Sequence, residues 1–347
     1  LRHGASAMQG WRKKMEDAHI LKPSLTQHNA ANVALYAVFD GHGGPEVAQF
    51  AERHMPQVLL ENDEFKRGNY GAALSQAFLT IDQMLEKPKH QLEIGMTPAG
   101  GAGGEGSGSI RDDGAGTSVG TRESLKQAEA KKMLQQMMVM RRALQGGRVA
   151  AGGGDDGDKK VCQLAEHPVK CGCTAVAALI VGNKIIVANA GDSRGVLSRN
   201  GTAVPLSFDH KPNDADETAR IVGAGGFVTS QNGHFRVNGN LNLSRSLGDM
   251  KYKQNTALPA EQQMITASPD ILTETLREGD EFIILACDGV WDVMSNQEAV
   301  DFVRSRLQKG VPLGKISEQV FDHCIADDPK LTKGIGGDNM TCIVIKL

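Results

Sequence analysis

The chain has 347 residues, enough for one large domain or two ordinary ones. Thirty-eight Lys and Arg against 41 Asp and Glu leave a net charge of −3, a near-balance that excludes nucleic acid and polybasic membrane binding, both of which draw on excess positive charge. A hydrophobic share of 40% supplies a sizeable core, and the longest apolar run, Ala175 to Val181, is far too short for a transmembrane helix of ~18 or more residues. In chain order, Val33 to Phe39 reads as a strand. Pro45 to Glu61 reads as a helix with Pro at its tolerated first turn, and Tyr70 to Glu86 as another.

From about 95 to 165 the composition changes. Gly95 to Gly157 holds 16 glycines in 63 residues, well above the chain average, so its two ends read as low-complexity tethers. Between them 121–145 reads as an amphipathic helix: it has no Gly or Pro, a Ser124–Gln127 capping box, and Ala130, Met133, Leu134, Met137, Met140 and Leu144 at helical spacing. This stripe either packs on its own domain or, with Lys131, Lys132, Arg141 and Arg142, offers a Met-rich face to a partner.

Beyond the insertion, Ala175 to Val181 and Lys184 to Asn189 flank a Gly182-Asn183 hairpin turn; Asn200-Gly201 and Asn232-Gly233 mark two more. Asp214 to Ala224 is a helix stopped by Gly225-Gly226. Phe282 to Cys287 is a buried strand, and Ser295 with Glu298 caps a helix to Gln308. Pro312 to Ala326 is a last helix and Met340 to Ile345 a closing strand. Three hairpins predict antiparallel sheet, and helices in adjacent pairs exclude a βαβ array, so the class is α+β.

Six cysteines are too few for a disulfide scaffold and read as reduced thiols in an intracellular, cytoplasmic protein. Cys171 and Cys173, with Cys162 and His167 nearby, leave zinc as a minor alternative. The sequence shows no signal-peptide pattern of basic head, long apolar stretch and small-residue site; the start at Leu1 leaves a nuclear address or a lipid anchor open.

The carboxylates carry the chemistry. Asp40 follows the strand Val33 to Phe39, Asp192 follows Lys184 to Asn189 after Ala190-Gly191, Asp288 follows Phe282 to Cys287, and Asp338 precedes Met340 to Ile345. One acid beside a buried strand is an ordinary turn residue or cap. Four at strand ends repel one another if they converge, and a divalent cation is the natural compensation; all-oxygen donors select Mg²⁺ or Mn²⁺. Asp40-Gly-His-Gly-Gly44, Asp288-Gly-Val-Trp-Asp292 and Gly336-Gly-Asp-Asn339 bare the backbone around these acids. No EF-hand loop, P-loop or nucleophile elbow occurs, which leaves metal-activated water attacking phosphorus as the nearest reading.

These stretches resemble the PPM family of type 2C, metal-dependent serine/threonine protein phosphatases. The matches are 8–19 (MQGWRKKMEDAH), 38–44 (VFDGHGG), 173–180 (CTAVAALI), 188–194 (ANAGDSR), 209–212 (DHKP), 241–249 (LNLSRSLGD), 284–293 (ILACDGVWDV) and 337–341 (GDNMT), in the family's order. The resemblance implies a sandwich of two antiparallel sheets flanked by helix pairs, a four-layer αββα catalytic domain over 1–347 interrupted by the glycine-rich insertion. It implies two Mn²⁺ or Mg²⁺ ions: Asp40 bridges them, the Gly41 carbonyl, Glu16, Asp288 and Asp338 complete the direct shell, and Asp17, counted with the metal residues, orients bound water together with Asn339. Arg12 holds the substrate phosphate, His42 protonates the leaving oxygen, and Asp192, Asp288 and Asp292 hold a weaker third ion. A metal-bridging hydroxide attacks directly, without a phosphoenzyme. Phosphoprotein substrates and a monomer follow as expectations. The competing function is a catalytically inactive member used as a binding scaffold, against which stand all four acidic ligands. From the residues alone, Arg12 could instead pair with Glu16, and His42 could be a turn histidine. His210 has no chemical role that the pattern supplies.

Overall fold

The computed structural model describes residues 1–25, 32–96, 164, 166–231 and 233–347. The chain divides into one unit, Leu1–Gly101 with Val161–Leu347, and a second, Ala102–Lys160. The expected helix 121–145 lies outside the described residues, as does Asn232 of the third hairpin turn.

Two antiparallel sheets form the centre. The first orders its strands β1 (Arg2–Met8), β13 (Met340–Lys346), β12 (Asp280–Ala286), β6 (Arg194–Arg199) and β7 (Thr202–Pro205). The second runs β11 (Asp270–Thr275), β5 (Lys184–Ala190), β4 (Gly172–Val181), β3 (Val33–His42) and β2 (Ala18–Lys22), with the two-residue β10 (Leu247–Gly248) on β4. A separate hairpin pairs β8 (Val228–Gln231) with β9 (His234–Val237).

Side chains alternate across a strand, so one buried on both faces must be apolar throughout. Ala34, Tyr36 and Val38 of β3 point into the core between the sheets, against Leu197, Ile283, Leu285 and Ile343. Leu35, Ala37 and Phe39 point the other way, onto α1 (Glu46–Glu61) and α3 (Tyr70–Leu85). On the first sheet Phe282, Ile284 and Ala286 of β12 face α7 (Asn296–Gln308) and α8 (Leu313–Cys324). The result is four layers, αββα, and the continuous apolar runs are its signature. The capping box at Ser295 and Glu298 forms as read, and Asn200, at positive φ, turns β6 into β7.

Several elements escape the sequence reading. β1 is one: its RHGASAM composition is poor in β-branched residues because α8 lies on it. A Cβ at Gly4 would fall 2.2 Å from the Gly314 backbone nitrogen. β2, β10, β11 and the short helices α2 (Asp63–Lys66), α4 (Pro88–Glu93) and α6 (Asp288–Trp291) also go unread, each too short to show a clear period. α5 (Ala215–Gly223) ends ahead of Gly225-Gly226 as anticipated.

Of the residues of the zinc alternative, Cys162 lies outside the described residues, and the described ones form no group of metal-binding side chains. Cys171 and Cys173 are buried in the core beneath α1, and burial pushes the Cys171 thiol up to about 12, away from the thiolate a metal needs. The His167 Nδ1 is taken by the Val169 backbone N–H at 3.1 Å. No described helix is long and apolar enough to cross a membrane.

Candidate active site

Antiparallel pairing brings the acids together. β3, β5 and β12 run out at the edge where β13 begins, delivering Asp40, Asp192, Asp288 and Asp338 to one cleft of about 560 Å³. The Ala18↔Phe39 register sets Glu16 beside Gly41, so close that a Cβ at Gly41 would lie 2.1 Å from the Glu16 carbonyl oxygen. β1 ends at the Met8↔Met340 pair, which carries the following loop to the residues ahead of β13. That loop is fastened there: Trp11 N–H donates to the Gly337 carbonyl at 3.1 Å, and Trp11 Nε1 to the Ala326 carbonyl at 2.8 Å. Arg12, Lys13 and Lys14 thereby line the cleft beside Glu16.

Arg12 does not pair with Glu16. Its Nη2 donates to Asp338 Oδ2, and its side chain stays 59% exposed. A guanidinium has five donors, so this contact leaves others free for an incoming anion.

Asn339 spends its side chain on backbone: Oδ1 accepts from Glu16 N–H at 2.8 Å, and Nδ2 donates to the Gln9 and Lys14 carbonyls at 2.7 and 3.0 Å. It therefore fixes the arginine-bearing loop.

Burial and mutual repulsion dominate the electrostatics. Burial, then the charges of Asp288, Asp17, Asp192 and Asp338, hold the Asp40 carboxyl well above the usual range. Asp288 is raised for the same reasons, by burial and by Asp192, Asp292 and Asp338. Asp17 is pushed up to about 6, chiefly by burial. It is not on the cleft wall; its Oδ2 accepts from Thr341 Oγ1 at 2.7 Å, and its buried Oδ1 has no hydrogen-bond partner. Asp192 is buried, with Oδ2 on Lys211 Nζ at 2.5 Å and Oδ1 without a hydrogen-bond partner. Asp292 is exposed and lines no part of the cleft, though its carboxyl is raised by burial and by Asp192 and Asp338. Crowded, unsatisfied carboxylate oxygens of this kind fit hard divalent cations. Glu16, Asp40, Gly41, Asp288 and Asp338 line the cleft and are the residues there that could hold them.

His42 is tied to a partner that the sequence reading passed over. Its Nε2 lies 2.7 Å from Asp249 Oδ2, which also accepts from Ser246 Oγ at 2.6 Å. Burial alone would lower the His42 pKa, but the charge and hydrogen bond of Asp249 outweigh it and the net shift is upward. Asp249 is buried and sits at φ +51°, a left-handed conformation that an Asp tolerates better than most residues. It closes the 241–249 stretch; only its place at the end of that polar motif hinted at a role.

Lys211 and Arg194 were also missed, whereas His210, to which the sequence assigned no chemical role, serves the fold. Arg194 grips Asp209 through Nε at 2.5 Å and Nη2 at 3.0 Å. His210 Nδ1 accepts from Gly191 N–H at 3.2 Å and so pins the turn that carries Asp192.

Comparison with known proteins was made against this geometry. A family model described as protein phosphatase 2C matches residues 1–99 and 123–330. The chain is 37% identical to a probable protein phosphatase 2C 6 of Paramecium tetraurelia, over 100% of this chain and 92% of that protein. It is 38% identical to protein phosphatase 2C homolog 2 of Schizosaccharomyces pombe, over 99% of this chain and 72% of the relative. The crystal structure of a serine-threonine phosphatase 2C from Toxoplasma gondii superposes with a TM-score of 0.63 at 19% identity, covering 99% of this chain and 94% of that one, a likeness of fold.

Proposed function

The chain belongs to the protein phosphatase 2C family, and from that premise we propose that it hydrolyses phosphoserine and phosphothreonine in proteins, with two Mn²⁺ or Mg²⁺ ions held by Glu16, Asp40, the Gly41 carbonyl, Asp288 and Asp338. The observation that carries this reading is the convergence of those oxygens with Arg12 and His42 on one cleft. Bound divalent cations there supply a water of lowered pKa and neutralise charge on the phosphoryl oxygens.

The protein's own groups do the rest. Arg12, with Nη2 resting on Asp338, offers its remaining donors to the phosphate, and Lys13 and Lys14 on the same loop add positive charge at the rim. His42 gives a proton to the departing serine or threonine oxygen. Asp249 holds Nε2, which leaves Nδ1 as the donating atom, and the upward shift of the imidazole keeps it protonated for that step. Glu46 and Asn339 complete the wall, the latter by keeping the Arg12 loop in place. Lys211 already offsets much of the charge on Asp192, which makes a third ion among Asp192, Asp288 and Asp292 the weakest of the three. No side-chain nucleophile enters, so phosphorus passes directly to water.

The test is turnover of a phosphothreonine peptide in ¹⁸O-labelled water with Mn²⁺ or Mg²⁺, with acid quenching during turnover. This reading requires one solvent oxygen in each released phosphate and no phosphate on the quenched protein. A trapped phosphoprotein would overturn direct attack, and absence of release from folded protein would overturn the enzyme.

A further inference from the structure

A second cluster of metal-binding side chains stands on the helical layer, away from the acidic cleft. His54 on α1 and His90 and Glu93 on α4 each offer one ligand atom, and these atoms all lie within 4.8 Å of one another. His54 Nε2 lies 2.8 Å from Glu93 Oε1, and His90 Nδ1 lies 3.1 Å from Glu93 Oε2. His90 and Glu93 are three residues apart on one helix and so share a face. The buried Phe50 ring packs against both imidazoles, at 4.2 Å from His54 and 5.3 Å from His90, and the two imidazoles meet edge-on at 5.6 Å. The rings are thus held in orientation before any ligand arrives, with an apolar wall on one side.

We propose that His54, His90 and Glu93 form a binding site for a zinc-type dication, distinct from the cleft that holds Asp40 and Asp288. Two imidazoles and one carboxylate are a borderline donor set that favours Zn²⁺ and its neighbours, whereas the all-oxygen cleft favours Mg²⁺ or Mn²⁺. Bonds of about 2.0–2.2 Å in a tetrahedral arrangement set neighbouring ligand atoms about 3.3 Å apart. The observed histidine–carboxylate separations, 2.8 Å to Oε1 and 3.1 Å to Oε2, run to different oxygens of Glu93, and the three ligand atoms, all within 4.8 Å of one another, reach this spacing by a modest side-chain adjustment. Three protein ligands leave one position for solvent. Arg53 Nη2, 3.3 Å from Glu93 Oε1, is the cation already at the site, and its exposed side chain can swing away when a metal arrives. His54 lies eight residues along α1 from Glu46 on the cleft wall, about 12 Å of helix rise, so the two centres are separate. A bound ion would join α1 to α4, two elements otherwise linked here by side-chain hydrogen bonds.

The test is calorimetric titration of Zn²⁺ into the full chain, stripped with EDTA and supplied with excess Mg²⁺, comparing wild type with His54→Gln. Glutamine keeps a hydrogen bond to Glu93 within reach. The wild type is expected to take up one Zn²⁺ per chain that His54→Gln does not, or takes up at least tenfold more weakly. Glu93→Gln, which leaves both imidazoles, decides by the same count if His54→Gln does not fold. Equal stoichiometry and affinity in wild type and folded variant would overturn the site. The count does not depend on phosphate release, so its failure leaves the proposed hydrolysis untouched.

Discussion

Replacing Gly41 with alanine should disable the cleft while leaving the sandwich folded. The new Cβ would fall 2.1 Å from the Glu16 carbonyl oxygen and 2.9 Å from its carbonyl carbon. Ordinary contact requires about 1 Å more, and because the obstacle is backbone, it cannot rotate away. β3 and the segment just ahead of β2 must therefore part at the point where Glu16 faces Gly41. A displacement of about 1 Å in a catalytic constellation costs about 10²-fold in rate, whereas overpacking at one position costs about 1–3 kcal/mol of stability. Phosphopeptide turnover with Mn²⁺, read beside a urea melt, separates the two effects. The control is Gly314→Ala on α8, where the added methyl meets nothing within 4 Å; it should keep full activity and be no less stable. Wild-type turnover in Gly41→Ala would refute the claim that this close approach sets the cleft.

Three further outcomes follow from the same geometry. Asp249→Asn should lower kcat by about 10²–10⁴-fold with little change in KM, since it removes the partner that orients and charges His42; steady-state kinetics showing a change in KM alone would contradict this. Asp288→Asn should abolish turnover yet raise the melting temperature in EDTA. The Asp288 pKa is raised by folding, so its ionisation at neutral pH works against the native state, and a melt that falls in EDTA would count against the crowding described here. Glu217 offers the opposite sign. Although burial opposes it, Arg245 at 2.7 Å and Arg220 at 2.7 Å hold its carboxyl down at about 2. Its contribution, roughly 3 kcal/mol, is present above the ordinary carboxylate range and fades as pH falls from about 4.5 toward 2. Glu217→Gln should therefore be less stable than wild type at pH 7 in urea unfolding, with the gap narrowing at pH 3; an equal gap at both would contradict the ion pairing.

The strands that carry the site announce themselves because they are buried on both faces. β3, β4 and β12 are apolar at successive positions, and an Asp directly after such a run stands out. What stayed hidden depends on distant partners. β1 looks like a loop because α8 demands small side chains, and only the β1–β13 ladder places Arg12 beside Asp338, 326 residues away. Asp249, Lys211 and Asn339 act through contacts that local pattern cannot signal: a buried carboxylate behind His42, an ammonium on Asp192, and an amide bonded to three backbone groups. His54 and His90 sit in unremarked helical sequence and meet only because α4 folds back onto α1.

The decisive measurement is phosphate release from a phosphothreonine peptide by protein stripped with EDTA, followed after Mn²⁺ or Mg²⁺ is returned. If Glu16, Asp40, Asp288 and Asp338 hold the ions the reaction needs, release is absent before the addition and restored by it. Undiminished release in EDTA, or none from folded protein with either ion, would contradict the account.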